Sequence, residues 1–266
     1  MASVDLGPWW RIWAWVWWLP AVGEAIGGWV VTGRLVVGAL RGASGWAGAV
    51  AMGQVALALY NRAARRWRPL TWFQEGAAVA HVDTRTALSA GFFPAVAFGV
   101  GTGGAVGAGW GYAGGGWPLW IGGGALAAVA AWAGTLVLYN RIVVPFARPL
   151  DWEEEEQGGW RRITRLDPHR ARLTGAMLVF AWVVVWLLAG VLWLWIRLDF
   201  FSPGLPPGYF RLGVAVFTGF LWAALGFLLA VGLGAWCYVG ALWYNRWAAR
   251  GGGVRWRSRQ RQVGAS

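Results

Sequence analysis

The sequence predicts an all-α integral membrane protein with six transmembrane helices, arranged as three repeated antiparallel helical hairpins. Composition is the first reason for this prediction. Hydrophobic residues make up 58% of the 266 positions, only 13% are charged, and the mean hydropathy is +0.47. That is too apolar for a soluble chain of this length. The second reason is that the tripeptide Tyr-Asn-Arg occurs three times, each time at the end of a long apolar run.

The three tripeptides belong to a longer internal repeat. Each of their asparagines follows an aspartate by 56, 57 or 78 residues, in the pairs Asp5–Asn61, Asp83–Asn140 and Asp167–Asn245. Such self-similarity is the sign of a structural unit used repeatedly. We therefore predict three two-helix membrane repeats, at residues 1–79, 80–158 and 159–266. The third has a longer outer loop around 199–208 and a basic C-terminal tail.

Six apolar segments are long enough to be considered as membrane spans, because about 20 residues of helix cross the hydrocarbon core. They lie near residues 10–31, 45–60, 87–108, 119–139, 173–196 and 217–244. None shows the alternation of barrel strands, so helices are the expected structure. Arg34 and Arg41 interrupt the apolar sequence between the first two segments and predict a short outer loop there. The second segment is the shortest of the six.

The arginines predict the orientation in the membrane. All 23 basic residues are arginine, and 19 of them flank the Asp starts and Tyr-Asn-Arg ends. The positive-inside rule then places both termini in the cytoplasm of a multi-pass cell-membrane protein. Anionic lipid headgroups at that face are the expected partner of the net charge of +12. We expect no nucleic-acid binding, because the sequence contains no recognisable nucleic-acid-binding module.

The repeated polar residues are the candidate site, and two interpretations are open. In the first, Asp5, Asp83 and Asp167 cap helix N-termini, and the Tyr-Asn-Arg ends place tyrosine in the interfacial aromatic belt and asparagine at the helix end. In the second, tyrosine and asparagine pack against the cap of the same or the next repeat and form a polar ring. The residues concerned are Tyr60, Asn61, Tyr139, Asn140, Tyr244 and Asn245.

Glu24 is the only acidic residue well inside a predicted span. Ionisable groups within a membrane are costly and often mark a transport pathway. Pro20 and Gly23 precede Glu24, and a kink there would admit water. The favoured interpretation is that the first helix ends early and leaves Glu24 at the outer interface near Arg34 or Arg41.

The remaining reactive groups do not form a recognised catalytic set. His81 and His169 each lie two residues from an aspartate in different repeats, and they predict neither a metal site nor a catalytic triad. The acidic run 153–156 is interpreted as a solvated linker turn, with a divalent cation or basic partner as the alternative. Cys237 lies in an apolar run. We expect no metal, no cofactor and no enzymatic activity.

The third repeat resembles a known membrane family. The residues that carry the resemblance are Arg165-Leu166-Asp167-Pro168, Tyr244-Asn245-Arg246, Ala248-Ala249-Arg250 and Gly252-Gly253-Val254. Residues 165–257 are similar to the bacterial and archaeal family called domain of unknown function 3566. The resemblance implies a prokaryotic two-helix membrane unit, and it implies no activity, substrate or catalytic residue. Trp243 and Arg257 depart from the family pattern.

Three functions are compatible with the sequence. The favoured one is a structural, assembly or envelope-organising membrane protein, with a membrane-protein partner or a second copy of the chain as its contact. A small transporter or channel with Glu24 in its polar pathway is the alternative. A membrane enzyme acting on lipid is a third, and it would require the histidines and aspartates to converge.

Overall fold

The computed structural model describes residues 3–66, 72–75, 78–109, 117–147, 150–201 and 209–257. The described chain is mostly helical, and four helices are long and apolar enough to cross a membrane by their length and composition. The seven helices are α1 (Trp9–Thr32), α2 (Leu35–Arg66), α3 (Thr84–Gly109), α4 (Trp117–Leu138), α5 (Val144–Ala147), α6 (Pro168–Phe201) and α7 (Tyr209–Ala249). A π-helical segment, Tyr139–Val143, joins α4 to α5. The four helices that meet this criterion of length and composition are α2, α4 (continued through the π-helical segment and α5), α6 and α7.

The turn between α1 and α2 is tighter than the sequence predicts. Helix α1 ends at Thr32, and Gly33 takes the left-handed conformation, with φ of 66°, that glycine adopts easily. Its backbone N–H donates to the carbonyl of Trp29. Helix α2 begins at Leu35, so Arg41 lies on the helix and not in a loop. Arg41 does not interrupt the helix, and its side chain lies over Gly28 of α1.

Six of the helices form three antiparallel pairs whose backbones approach at glycines. In the first pair, a Cβ on Gly38 would lie 2.7 Å from the backbone nitrogen of Trp29. In the second pair, a Cβ on Gly124 would lie 2.9 Å from Cα of Gly103. In the third, a Cβ on Gly234 would lie 3.1 Å from the carbonyl oxygen of Arg172. Glycine thus sets the spacing within each pair, as small residues do between membrane helices.

Large side chains that cover glycines join one helix pair to the next. Between α2 and α3, a Cβ on Gly101 would lie 2.7 Å from Sδ of Met52. Between α4 and α6, Gly134 faces the ring of Trp182, whose indole N–H donates to the hydroxyl of Thr135 at 3.1 Å. Between α7 and α1, Gly240 faces Trp15, which also stacks on Trp236 with 4.3 Å between ring centroids. The last pair therefore contacts the first through the ring of Trp15.

Six short strands correct the prediction of an entirely α-helical chain. They are β1 (Ser3–Val4), β2 (Trp72–Glu75), β3 (Ala78–Val82), β4 (Trp152–Gln157), β5 (Trp160–Leu166) and β6 (Arg255–Arg257). Strands β2 and β3 form a separate antiparallel hairpin. The other four form one sheet in the order β1-β6-β5-β4. All of the strands lie at the end of the helix pairs where the repeated Asp and Asn residues occur.

Candidate functional site

Each repeated asparagine binds the backbone of one strand residue through two hydrogen bonds. The N–H of Val4 donates to Oδ1 of Asn61 at 2.8 Å, and Nδ2 of Asn61 donates to the carbonyl of Val4 at 2.8 Å. Asn140 binds Val82 in the same way, at 3.0 and 2.7 Å. Asn245 binds Leu166 at 2.8 and 2.8 Å. A side-chain amide has both a donor and an acceptor, so it forms with that residue the two hydrogen bonds that the backbone of a neighbouring strand would form.

These contacts correct the interpretation that each asparagine ends its helix. Helix α2 continues past Asn61 to Arg66, and α7 continues past Asn245 to Ala249. Asn140 lies in the π-helical segment, which continues into α5. Each asparagine instead binds the residue that precedes its paired aspartate, and the polar ring of the second interpretation stays a prediction. We call the three pairs, Asn61–Val4, Asn140–Val82 and Asn245–Leu166, the amide clamps.

The residue that follows each clamped strand residue is the repeated aspartate. Oδ1 of Asp5 accepts from the N–H of Gly7 at 3.0 Å, and Oδ1 of Asp83 accepts from the N–H of Arg85 at 3.1 Å. Oδ1 of Asp167 accepts from the N–H of His169 at 2.8 Å. Asp83 and Asp167 directly precede α3 and α6, so their carboxylates take the capping role expected from the sequence. Asp5 does not cap α1, because Gly7 lies in the turn before the helix and the N-cap residue of α1 is Pro8, which makes no side-chain cap hydrogen bond.

A tryptophan pairs with each clamped residue across the strands. In backbone register, Trp256 lies opposite Val4, Trp72 opposite Val82, and Trp152 opposite Leu166. Each tryptophan follows an asparagine by 11 or 12 residues. The strand after the second helix of one pair therefore binds the strand before the first helix of the next pair. For the third pair that partner is β1, at the beginning of the chain.

Tyr244 ties strand β5 to the chain after α7. Its hydroxyl donates to the carbonyl of Ile163 at 2.9 Å and accepts from the N–H of Val254 at 3.0 Å. The side chain is buried in a cluster with Ala248, Val254 and Trp256. Tyr244 is therefore held inside the protein, which differs from the expected place in an interfacial belt. Tyr139 begins the π-helical segment, and Tyr60 lines a cavity described below.

Glycine is required next to this tyrosine. Gly253 has φ of 113°, and a Cβ on it would lie 2.8 Å from the carbonyl oxygen of Ile163. The Gly-Gly-Val sequence thus lets the chain leave α7 and run beside β5, where the N–H of Ile163 donates to the carbonyl of Val254 at 3.0 Å.

The acidic run that was predicted to be a linker turn is strand β4. Its glutamates face arginines of β5, with Glu155 in register with Arg162 at 2.8 Å between Oε2 and Nη2. Arg161 is 3.6 Å from Glu154 and 3.7 Å from Glu156. Cross-strand pairs of opposite charge stabilise a sheet modestly, by about 0.2–1 kcal/mol each. The opposite charges therefore specify the pairing of β4 with β5, because hydrophobic alternation does not specify it.

Glu24 lies within α1, and the helix does not end early. Eight residues separate it from Thr32, which corresponds to about 12 Å of helix. Its side chain is exposed, and its carboxylate lies over Gly45 of α2. Arg41 covers Gly28 one helical turn away, with its Cδ 3.2 Å from a Cβ built there. The interface of α1 and α2 therefore has an acidic and a basic side chain on neighbouring turns.

The other reactive residues take separate places. His169 packs against the ring of Tyr238, with 5.3 Å between centroids, and His81 is exposed on β3. The side chain of Cys237 packs against Gly175, where α7 meets α6. Among the described residues, no group of three or more His, Cys, Asp or Glu side chains is placed to hold a metal ion.

An apolar cavity of about 480 Å³ lies among helices α1 to α4. Its walls include a row of tryptophans on α1, namely Trp9, Trp13 and Trp17, and small residues of α3 and α4. Phe98 also lines it, 5.5 Å from Trp17 between ring centroids. We call this space the tryptophan cavity. A second apolar groove, of about 550 Å³, lies between α6 and α7 and includes Val183, Gly226 and Leu229.

The fold therefore defines a class: a mostly helical protein with four helices suited in length and composition to crossing a membrane, and with strands at one end. Comparison with protein-family models, with curated proteins and with solved structures finds no match for this chain. The resemblance of residues 165–257 to the family of domain of unknown function 3566 stays a prediction.

Proposed function

We propose that this chain is a non-enzymatic, multi-pass protein of the cell membrane that serves assembly, scaffolding or envelope organisation. In this proposal residues 1–79, 80–158 and 159–266 form three repeated hairpins with six membrane spans. The observation that carries it is the set of amide clamps. The most regular polar residues of the sequence bind the chain's own backbone, so their recurrence is accounted for by architecture and needs no substrate.

The surface of the helices supports the membrane placement. Phe220 is 76% exposed, Leu126 73% and Trp186 71%. Soluble monomers seldom expose large apolar areas of this kind, whereas lipid covers them without cost. The arginines of β5 and β6 lie at the strand end and only Arg34 and Arg41 occur at the α1–α2 turn. By the positive-inside rule, the strands and both termini face the cytoplasm and anionic headgroups.

Cysteine labelling tests the orientation. The change Glu155→Cys, in a Cys237→Ala background, puts one thiol on β4. A membrane-impermeant maleimide should leave it unlabelled in sealed cells and label it after permeabilisation. Thr32→Cys serves as the control on the outer side. Gly33→Cys is unsuitable for this purpose, because Gly33 has a positive φ. Labelling of position 155 in sealed cells would reverse the proposed topology.

Copurification tests the assembly role. The tagged full-length protein is extracted from native membranes in a mild detergent, and its partners are identified by mass spectrometry. We expect a reproducible membrane-protein partner or a homo-oligomer that withstands washing. A monodisperse monomer that retains no protein, from membranes where it is normally expressed, would contradict the assembly role.

A transporter remains the second candidate because of the position of Glu24 in α1. A carboxyl group in a membrane helix is costly and usually has a role. In sealed vesicles, proton- or ion-driven flux present in the wild-type protein and lost in Glu24→Gln would establish this function. Glu153→Gln is the matched control, since Glu153 lies exposed on the sheet and should leave any flux unchanged.

A further inference from the structure

A further groove lies between α1 and α7, near the end of the helices where the strands are. Its volume is about 440 Å³, within the range of about 300–1,000 Å³ that is typical of small-molecule sites. Trp10, Trp15 and Trp18 of α1 and Trp243 of α7 line it. Arg11, in the first turn of α1, lines it at the strand end. We call this space the α1–α7 groove.

Two of the rings that line the groove belong to a stack. Trp15 stacks on Trp236 and on Trp243, with 4.3 and 5.6 Å between ring centroids. Trp243 in turn stacks on Trp247 at 5.9 Å. A Cβ on Gly240 would lie 2.7 Å from the indole nitrogen of Trp15, so α7 packs closely against this ring. The groove is therefore formed before any ligand binds, which lowers the entropy cost of binding.

Arg11 is held by two indole rings and has no counter-charge in the described part of the protein. Its Cζ lies over the ring of Trp10, 5.3 Å from the ring centroid, and over the ring of Trp247 at 5.6 Å. Among the described residues it takes part in no ion pair and no side-chain hydrogen bond, whereas Arg162 of β5 pairs with Glu155. A guanidinium has five N–H donors and no acceptor. Arg11 therefore places unpaired donors and a positive charge at one end of the groove.

This charge distinguishes the α1–α7 groove from the two apolar spaces described above. The tryptophan cavity and the α6–α7 groove have no charged residue among their described walls. The described wall of the α1–α7 groove contains Arg11 and no Asp or Glu. Trp18 is seven residues from Arg11, so apolar rings extend over about 10 Å from the charge. The complementary ligand is an amphiphile with an anionic group at one end and an apolar chain.

We propose that the α1–α7 groove binds one anionic phospholipid, whose phosphodiester accepts hydrogen bonds from Arg11 and whose acyl chain lies along Trp15 and Trp18. The inference rests on the proposed membrane placement, which puts the strand end of the groove at the cytoplasmic headgroups. Trp10 is 50% exposed and Trp18 54%, so a lipid reaches the groove from the bilayer without separating the helices. A planar guanidinium matches two phosphate oxygens. A zwitterionic headgroup carries its own ammonium, which offsets the attraction to Arg11.

Competition between two lipids with the same acyl chains tests the proposal. The full-length protein is purified in detergent, freed of endogenous lipid and titrated with an equal mixture of phosphatidylglycerol and phosphatidylcholine. Native mass spectrometry identifies each bound lipid by its mass. We expect the first lipid bound to be phosphatidylglycerol, with a preference of about ten-fold, which corresponds to about 1.4 kcal/mol. The preference should fall at high salt because Arg11 is exposed. An excess of inorganic phosphate should not displace the lipid, since phosphate does not cover the rings.

Two kinds of variant distinguish the groove from general attraction to a basic surface. Arg11→Gln removes the charge and should lose the ten-fold preference. Arg62→Gln is its matched control, because it removes an exposed arginine near the strand end of α2, and it should keep the preference. Ala14→Phe fills the groove from α1 and should abolish tight binding although Arg11 is present, with Ala14→Leu in its place if the first variant does not fold. Leu229→Phe, in the α6–α7 groove, is the control for added volume and should bind as the wild type does.

The outcomes separate this inference from the proposed function. Equal binding of the two lipids to the wild-type protein would overturn the lipid site, as would an unchanged preference in Arg11→Gln. Displacement by inorganic phosphate would assign the groove to a free anion, and a dimer that excludes the lipid would assign it to a second copy of the chain, so either result overturns the proposal. A protein that enters vesicles but shows no lipid preference loses only the lipid site. A chain that does not enter vesicles loses the proposed function as well.

Discussion

Replacing Asn61 with alanine should detach the beginning of the chain from the helix bundle. Asn61 is only 6% exposed and Val4 only 3%, so water does not replace the lost amide. The change removes two hydrogen bonds, each contributing about 0.5–1.5 kcal/mol, and leaves a buried N–H and a buried carbonyl unpaired. We expect the free energy of unfolding to fall by about 2–4 kcal/mol. Pairing of β1 with β6 should weaken at the same time.

Two further variants at this helix identify the cause. Asn61→Asp retains an acceptor for the N–H of Val4, but an ionised carboxylate cannot donate to the carbonyl, so it should recover only part of the loss. Arg62→Ala, at the exposed neighbouring position, should have little effect. Denaturant unfolding in detergent micelles, followed by tryptophan fluorescence, measures all three. Equal stability of Asn61→Ala and Arg62→Ala would refute the structural role of the clamp.

Two predictions concern the chain after α7. Gly253→Ala should destabilise the protein by at least about 1 kcal/mol, because φ of 113° and the carbonyl of Ile163 both oppose a side chain. Gly251→Ala, with φ of 81° and open space around its Cβ position, should cost less, and thermal unfolding of the two variants gives the comparison. Tyr244→Phe should lower the free energy of unfolding by about 1–3 kcal/mol, since it removes the hydroxyl that joins Ile163 to Val254. Faster amide exchange at Val254 is the accompanying sign, and unchanged exchange would contradict this role.

The mostly helical character of the chain was predictable because it depends on length and apolarity. The strands were harder to predict, since β1 has two residues and β4 reads Trp-Glu-Glu-Glu-Glu-Gln, with no alternation of apolar side chains. Its partner arginines lie on β5, and only the register shows that opposite charges meet. The prediction of a loop at Arg41 was wrong, because a charged residue near a helix end need not interrupt the helix.

The clamp asparagines could be identified from the sequence, but their hydrogen bonds to the strand backbone could not be predicted. The spacing of Asp and Asn indicated a repeat, but a side chain that binds a backbone 57 residues away leaves no local pattern. Trp256 is the residue that the sequence analysis missed. Its distance of 11 residues from Asn245 matches that of Trp72 from Asn61, and this spacing was the available signal.

The succession of strand pairs has a topological consequence. In a solenoid each repeat contacts only its neighbours, and the first and last repeats need special capping surfaces. Here β6 returns to β1, so the last helix pair is the neighbour of the first and neither acts as a cap. Strands β4 and β5 are joined by a turn at Gly158-Gly159, whereas β6 and β1 come from opposite ends of the described chain. The described chain is therefore linear in its bonds and cyclic in its strand contacts.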